Sequence, residues 1–231
     1  MNCNKCGKCC ENENTTINVN VLDLTKILEI LDNYEFKGHQ KKNRGFGEIK
    51  KNNQTIVIIR EEPFINYKGK WSFVPQAYLA KPCPFIKENL CAHHNKKISN
   101  ELTNKLKVYD YNNDQKIKIC QDHPKFFDYE DKIVKQYVPC SQLEKTIIIN
   151  DNTIKKESEL IGDLQEVLYD YWKITNDYPI LLIAEKMIKN KRDPIKPFIR
   201  KLNELKRHNG ISEENIRNSY VTVNNLLNNT N

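Results

Sequence analysis

Glycine is scarce, at seven of 231 residues, and the chain has only two tryptophans and two methionines. So little glycine argues against a nucleotide cradle, because loops that wrap phosphate need a backbone approach that only glycine permits without a clash. Consistently, the sequence has no glycine-rich strand-turn-helix fingerprint, no phosphate loop, no G-x-S-x-G elbow and no H-E-x-x-H pair. No apolar run nears the roughly 18 residues that a membrane-spanning helix requires. The longest runs, such as 55–59, are strand-sized. The chain is therefore expected not to be an integral membrane protein. Its start, Met1-Asn2-Cys3-Asn4-Lys5-Cys6, has a basic residue but no apolar stretch behind it, so no secretory signal is read and the expected compartment is the cytoplasm.

What the chain does have is eight cysteines. Cytosolic thiols are kept reduced, and disulfide frameworks belong to secreted chains, so cysteine-rich sequence in that compartment points to metal. The formal charge of +7 divides unevenly, with 23 Lys+Arg against 17 Asp+Glu in residues 1–140 and 14 against 13 in 141–231. The surplus thus sits with the cysteines. It admits a nucleic-acid or acidic partner. A Lys-, Asn- and Ile-rich composition, together with thiolate charge that a formal count omits, accounts for it more simply.

At 39% hydrophobic content and this length, one substantial domain, or a compact domain with a smaller helical unit, is expected. Residues 1–12 form a cysteine-dense loop, followed by a short β-branched strand at 15–19. Val21, Leu24, Ile27, Leu28 and Leu31 then fall on one helical face, with Asp23, Lys26 and Glu29 largely on the other. Residues 37–53 are polar and basic with three glycines and read as a loop. Strands are expected at 55–60 and 71–74, joined by a turn at Lys68-Gly69.

From 81 to 140 the regular signals are short and interrupted by prolines, so this stretch is expected to be held by something other than apolar burial, metal being the candidate. After Cys140 helices are expected. One carries the stripe Leu160, Ile161, Leu164, Val167, Leu168 and Tyr171, one runs from Asp177 through Met187, one opens at Asp193-Pro194 and ends at Gly210, and the last starts at Ser212. The fold class read from this is α+β: a small metal-stapled N-terminal domain of short strands and one helix at 1–145, plus an α-helical C-terminal region at 146–231.

The metal candidates begin with Cys3-x2-Cys6-x2-Cys9-Cys10. Two intervening residues let a tight turn aim both sulfurs at one ion or at neighbouring irons, as in zinc and ferredoxin loops. Gly7 permits the turn to fold its amides toward a thiolate. Lys5 and Lys8 favour the thiolate form, although solvated lysines in a loop account for them equally well. Consecutive Cys9 and Cys10 point apart, so one of them serves a second metal or another role.

Cys83, Cys91, Cys120 and Cys140 follow, and Cys83-Pro84 resembles the cysteine-proline ending of iron–sulfur loops. Four plus four cysteines can close one tetrahedral site, one cubane cluster, or two sites. Buried cysteines acting as small hydrophobes are the competing account, above all for Cys91 and Cys140. His93 and His94 follow Cys91 closely enough to be alternative zinc ligands, although neighbouring histidines in a polar loop are more often exposed.

Taken together, these residues resemble the YkgJ-type cysteine-cluster family, also described as a zinc- or iron-chelating domain and as flagellin N-methylase (FliB-like). The resemblance rests on C-x2-C-x2-C-C at 3–10, on the strand and helix Ile17 to Ile27, on Cys83-Pro84-Phe85-Ile86 with Cys91, and on Cys120-Gln121-Asp122-His123-Pro124. It covers roughly residues 1–140. In the family a short basic-proline segment joins the cysteines matched by Cys91 and Cys120, where this chain has some 28 residues. His123 also stands where the family has an aromatic, and is read as a packed or hydrogen-bonded ring rather than a ligand.

The resemblance implies metal ligation by Cys3, Cys6, Cys9, Cys10, Cys83, Cys91, Cys120 and Cys140, with an iron–sulfur cluster, [4Fe–4S] foremost, or zinc as cofactor. A redox or metal-handling protein is the leading expectation. A protein-lysine methylase is the second, although an S-adenosylmethionine site is missing and only Cys6-x3-Cys10 matches part of the C-x3-C-x2-C radical motif. A structural zinc module that binds a protein or nucleic acid is the third. Tyr67, Trp71 and Phe73 near Lys68 and Lys70 can stack on bases, but a half-buried hairpin explains the same residues with less. Glu61-Glu62 read as solvated carboxylates rather than as an acid/base pair.

Overall fold

The computed structural model describes residues 17–41, 44–65, 71–87, 90–93, 96–107, 109, 111, 115, 120, 125–128, 131–137, 146–156, 158–162, 164, 179–190 and 195. The class is α+β. Strands β1 (Asn18–Val19), β2 (Glu35–Lys41), β3 (Arg44–Lys51), β4 (Gln54–Ile65) and β5 (Trp71–Leu79) form one antiparallel sheet in the order β1-β5-β4-β3-β2. Helix α1 (Val21–Leu31) lies between β1 and β2 in the chain. A two-stranded ribbon, β6 (Ile86–Lys87) with β7 (Leu90–Cys91), precedes α2 (Asn100–Lys107). Strands β8 (Lys125–Asp128), β9 (Ile133–Tyr137) and β10 (Thr146–Ile149) make a three-stranded sheet, and α3 (Pro179–Lys189) follows.

Helix α1 is the centre of the molecule. Asn20 caps it, its side chain accepting from the amide of Asp23 at 2.9 Å, and Asp23 puts a negative charge at the positive end of the helix dipole. At the other end Asp32 takes a positive φ of 60° and its amide donates to Leu28 O at 3.1 Å, which closes the last turn. That turn has no basic residue of its own, and Lys51 on β3 supplies one by donating to Leu31 O at 2.6 Å. Lys105 on α2 does the same for α3, donating to Met187 O at 3.0 Å.

Nine of the eleven α1 residues are buried. Leu22, Leu24, Ile27 and Leu28 join one core with Ile49, Val57, Ile59 and Ala77 of the sheet, Leu102 and Leu106 of α2, and Ile183, Ala184 and Met187 of α3. The helix expected from the apolar stripe is present, and burial extends to the face opposite that stripe as well. Asp23 and Lys26 are fully buried, with the Tyr111 ring against Lys26.

The loop expected at 37–53 is instead the β2–β3 pair running into β4. The signal lay in Asn52 and Asn53, which take φ of 50° and 63°. Two residues of positive φ make the type I′ turn that matches strand twist, and asparagine tolerates that region. Among the residues of β2 and β3 whose side chains are described, Phe36, Gly47 and Ile49 are the ones that reach or pack against the core. The strands are also longer than expected, β4 having 12 residues.

Two further corrections concern the later chain. Residues 98–111 are held by apolar burial after all, Ile98, Leu102, Leu106, Tyr109 and Tyr111 all lying in the core, and α2 itself was not expected. Thr146–Ile149 is a strand inside the region expected to be helical, paired with β9 over four β-branched residues. The helix after Asp177 is borne out by α3. Of the expected 160–171 stripe, residues 158–162 and 164 are helical. The turn at 68–69, the rest of that stripe, and the helices from Asp193 and Ser212, apart from Ile195, lie outside the described residues. Among the described residues no helix is long and apolar enough to cross a membrane.

Ser99 begins α2 by accepting from the amide of Leu102 at 3.1 Å through its hydroxyl, and it ties α2 to α1 because its amide and hydroxyl both donate to the Glu29 carboxylate. Ser99→Ala is expected to lower stability by about 1 kcal/mol, the usual loss for a removed N-cap. A urea titration would show it as a lower midpoint at unchanged slope, and an unchanged midpoint would mean the cap contributes nothing.

Candidate metal centre

Of the eight candidate cysteines, Cys3, Cys6, Cys9, Cys10 and Cys140 lie outside the described residues. Cys83, Cys91 and Cys120 are described, and none is joined in a disulfide. Cys83 is buried and belongs to the main core, and Cys120 is half-buried and packs against the same core. Cys91 ends β7 and is the cross-strand partner of Ile86. Among the described residues, no three His, Cys, Asp or Glu side chains come together in a way that could hold a metal ion.

Residues 83–87 and 90–93 are drawn together by the β6–β7 pairing. Ile86 N donates to Cys83 O at 3.2 Å, a turn that starts directly at Cys83-Pro84, and Ala92 N donates to Phe85 O at 2.7 Å, which closes the far side of the ribbon. The ribbon thereby holds Cys83 and Cys91 on one short unit of backbone.

His93 is not the exposed loop residue that its sequence context suggests. Its ring meets Phe85 edge-on, with centroids 4.5 Å apart. Its Nδ1 lies 2.9 Å from Gln115 Oε1, and the same amide donates through Nε2 to Lys97 O at 3.0 Å. An amide whose nitrogen is already committed to a carbonyl must present its oxygen to the ring. This network therefore assigns the proton to Nδ1 and leaves the lone pair on Nε2. Desolvation on burial lowers the pKa and so favours the neutral ring. An imidazole oriented through Nδ1–H in this way is the form that ligates metal through Nε2. No sequence signal pointed to Gln115, which lies 22 residues from His93.

A second polar constellation that the sequence did not disclose surrounds the start of α1. Lys26 Nζ lies 2.9 Å from Asp23 Oδ1 with both side chains buried, and 4.9 Å from the centroid of the Tyr111 ring. Asn20 Nδ2 donates to Asp23 Oδ2 at 3.1 Å and to the Tyr111 hydroxyl at 2.9 Å. The group brings a cation, a carboxylate, an amide and a phenol into mutual contact.

Sheet geometry brings the start of β1 beside the end of β5. β1 pairs antiparallel with β5, Asn18 opposite Tyr78 and Val19 opposite Ala77, and Leu79 N donates to Ile17 O at 3.0 Å. In an antiparallel pair, the chain entering one strand and the chain leaving the other meet at the same end of the sheet. The chain therefore enters β1 at Ile17 at the same end of the sheet where it leaves β5 at Leu79 toward Cys83 and Cys91. Cys10 precedes Ile17 by seven residues and Cys83 follows Leu79 by four. At the span of an extended chain these place limits of roughly 25 Å and 14 Å on their separation from that hydrogen bond.

Comparison with family models, with curated proteins and with solved structures finds no match to this chain.

Proposed function

We propose that this chain is a cysteine-cluster metalloprotein of the YkgJ type, in which thiolates from the N-terminal C-x2-C-x2-C-C segment and from Cys83, Cys91, Cys120 and Cys140 hold an iron–sulfur centre, [4Fe–4S] foremost, or zinc. Its role is redox or metal handling in the cytoplasm. The observation that carries this reading is the hydrogen bond from Leu79 to Ile17, from which both cysteine segments depart at one end of the sheet. The donor set suits soft metals, since thiolates select zinc and iron–sulfur clusters over hard cations. None of the three described cysteines is joined in a disulfide.

An iron–sulfur centre would supply one-electron chemistry, and zinc would supply structure. The chain's own part is to fix the ligands. The β6–β7 ribbon sets the spacing of Cys83 and Cys91, and burial of Cys83 in the apolar core shields one side of any centre from water. A dry, apolar surround of this kind is a lever on potential.

The test is anaerobic purification followed by analysis for iron, zinc and acid-labile sulfide. A brown protein with about four iron and four sulfide per chain is expected for the cluster form. A colourless protein with stoichiometric zinc and no sulfide would assign the structural form of the same site. Less than a tenth of an equivalent of either metal would overturn the reading.

A further inference from the structure

A strand at the rim of a sheet leaves one row of backbone N–H and C=O groups unpaired, and such edges are ordinarily blunted by charge or proline. Three edges of this fold obey that rule. Strand β2 carries Glu35 and Lys37, β8 carries Lys125 and Asp128, and the part of β5 that β1 leaves uncovered includes Pro75. Strand β10 does not obey it. It forms the rim of the smaller sheet, in the order β10-β9-β8, and residues 146–150 read Thr-Ile-Ile-Ile-Asn, with neither charge nor proline. We propose that β10 is the contact strand of a symmetric dimer, pairing antiparallel with β10 of a second copy of this chain.

The strand is open on that side. Its register with β9 is regular over 146–149, with Ile147 opposite Gln136 and Ile149 opposite the buried Val134, and among the described residues its outer edge has no hydrogen-bond partner. Ile147 is 49% exposed and Ile148 70%, the two exposed large hydrophobic side chains among the described residues. As neighbours in a strand they point to opposite faces. An element laid on one face would cover only one of them, whereas a strand added at the edge brings side chains to both faces at once.

Self-complementarity makes the added strand a second copy. With the two-fold axis at Ile148, that residue meets its own copy on one face, and Ile147 meets Ile149 of the second copy on the other. Counting outward along the sequence, Lys145 of one copy comes opposite Asp151 of the other, an unlike pair that occurs twice by symmetry. A one-residue slip that sets Ile147 opposite Ile148 would bring Glu144 against Asp151 instead. Growth stops at two copies, because the far edge β8 holds Lys125 and Asp128 in ion pairs and repels a further strand. The contact uses none of the cysteines and is independent of the metal reading.

The test is sedimentation equilibrium of the full chain, with reductant present so that thiols do not link copies. A monomer–dimer equilibrium is expected, with a dissociation constant of roughly 10–100 μM, in keeping with a contact smaller than a standard interface. Ile148→Lys should weaken it at least about tenfold, by setting two ammonium groups face to face. Lys145→Glu, which leaves the strand itself untouched, should weaken it about threefold. Circular dichroism and melting should show the fold of both variants unchanged, since Ile148 is exposed. Cys6→Ser should associate as the parent does, which separates this contact from bridging through metal. A chain that stays monomeric at about 500 μM would overturn the proposal and leave the edge to a strand of another protein. So would a dimer insensitive to both substitutions, or assembly past the dimer into larger species.

Discussion

Asp23→Ala is expected to destabilise the fold by about 3–5 kcal/mol, the range found when one partner of a buried ion pair is removed and the other is left behind. The Asp23 carboxylate receives both Lys26 at 2.9 Å and Asn20 Nδ2 at 3.1 Å, and neither Asp23 nor Lys26 has measurable exposure. Removing the carboxylate takes from the buried Lys26 ammonium an ion partner 2.9 Å away, which its contact with the Tyr111 ring replaces only weakly. It also removes the acidic residue from the first turn of α1, worth up to about 1 kcal/mol. Asp23→Ala combined with Lys26→Met should recover most of the loss, since an apolar side chain of similar length fills the same space without a charge. Urea unfolding of the single and double variants measures this. A single variant within 1 kcal/mol of the parent would mean that water reaches the pair.

The second large effect concerns the thiols. Cys83→Ala and Cys6→Ser are each expected to reduce bound metal at least tenfold, because a centre shared by two chain segments loses its closure when either segment loses a ligand. Cys83 makes the more informative variant. It sits in the apolar core, so alanine removes only a sulfur and leaves a small cavity, and the fold should persist. Metal content measured on the folded variant then separates a ligand from a packed thiol. Full metal content in folded Cys83→Ala, with loss in Cys6→Ser, would confine the centre to the N-terminal segment and sink the shared arrangement.

How far the fold could be read from sequence depended on the range of the interactions that decide each element. Helix α1 was legible from end to end, because a stripe at 21, 24, 27, 28 and 31 and an asparagine cap are local signals. Its burial was not, because Asp23 and Lys26 look solvated until Tyr111, some ninety residues further on, is brought against them. The β2–β3 pair was missed because its residues pair with other strands more than they face the core, so the alternation that marks a half-buried strand is faint. The Asn52-Asn53 turn was the available clue. Helix α2 was missed for a related reason: the prolines around 81–84 coloured the reading of a stretch in which Leu102 and Leu106 are nevertheless spaced one turn apart.

The candidate centre was legible as chemistry and less so as geometry. Cysteine type and spacing pointed to metal, but the β1–β5 pairing that relates the two cysteine segments is long-range and has no local signature. The same holds for the tautomer of His93, which is set by an amide outside the hairpin.

The pairing of β1 with β5 extends over two residues. An attachment so short gives the first strand little grip of its own, and burial of the Ile17 side chain adds to it. If the cysteines bind an ion in common with those after β5, that ion acts as a clasp across the rim of the sheet. Unfastening it would bare the backbone of β5 at 77–79, open to strand exchange with a neighbouring molecule.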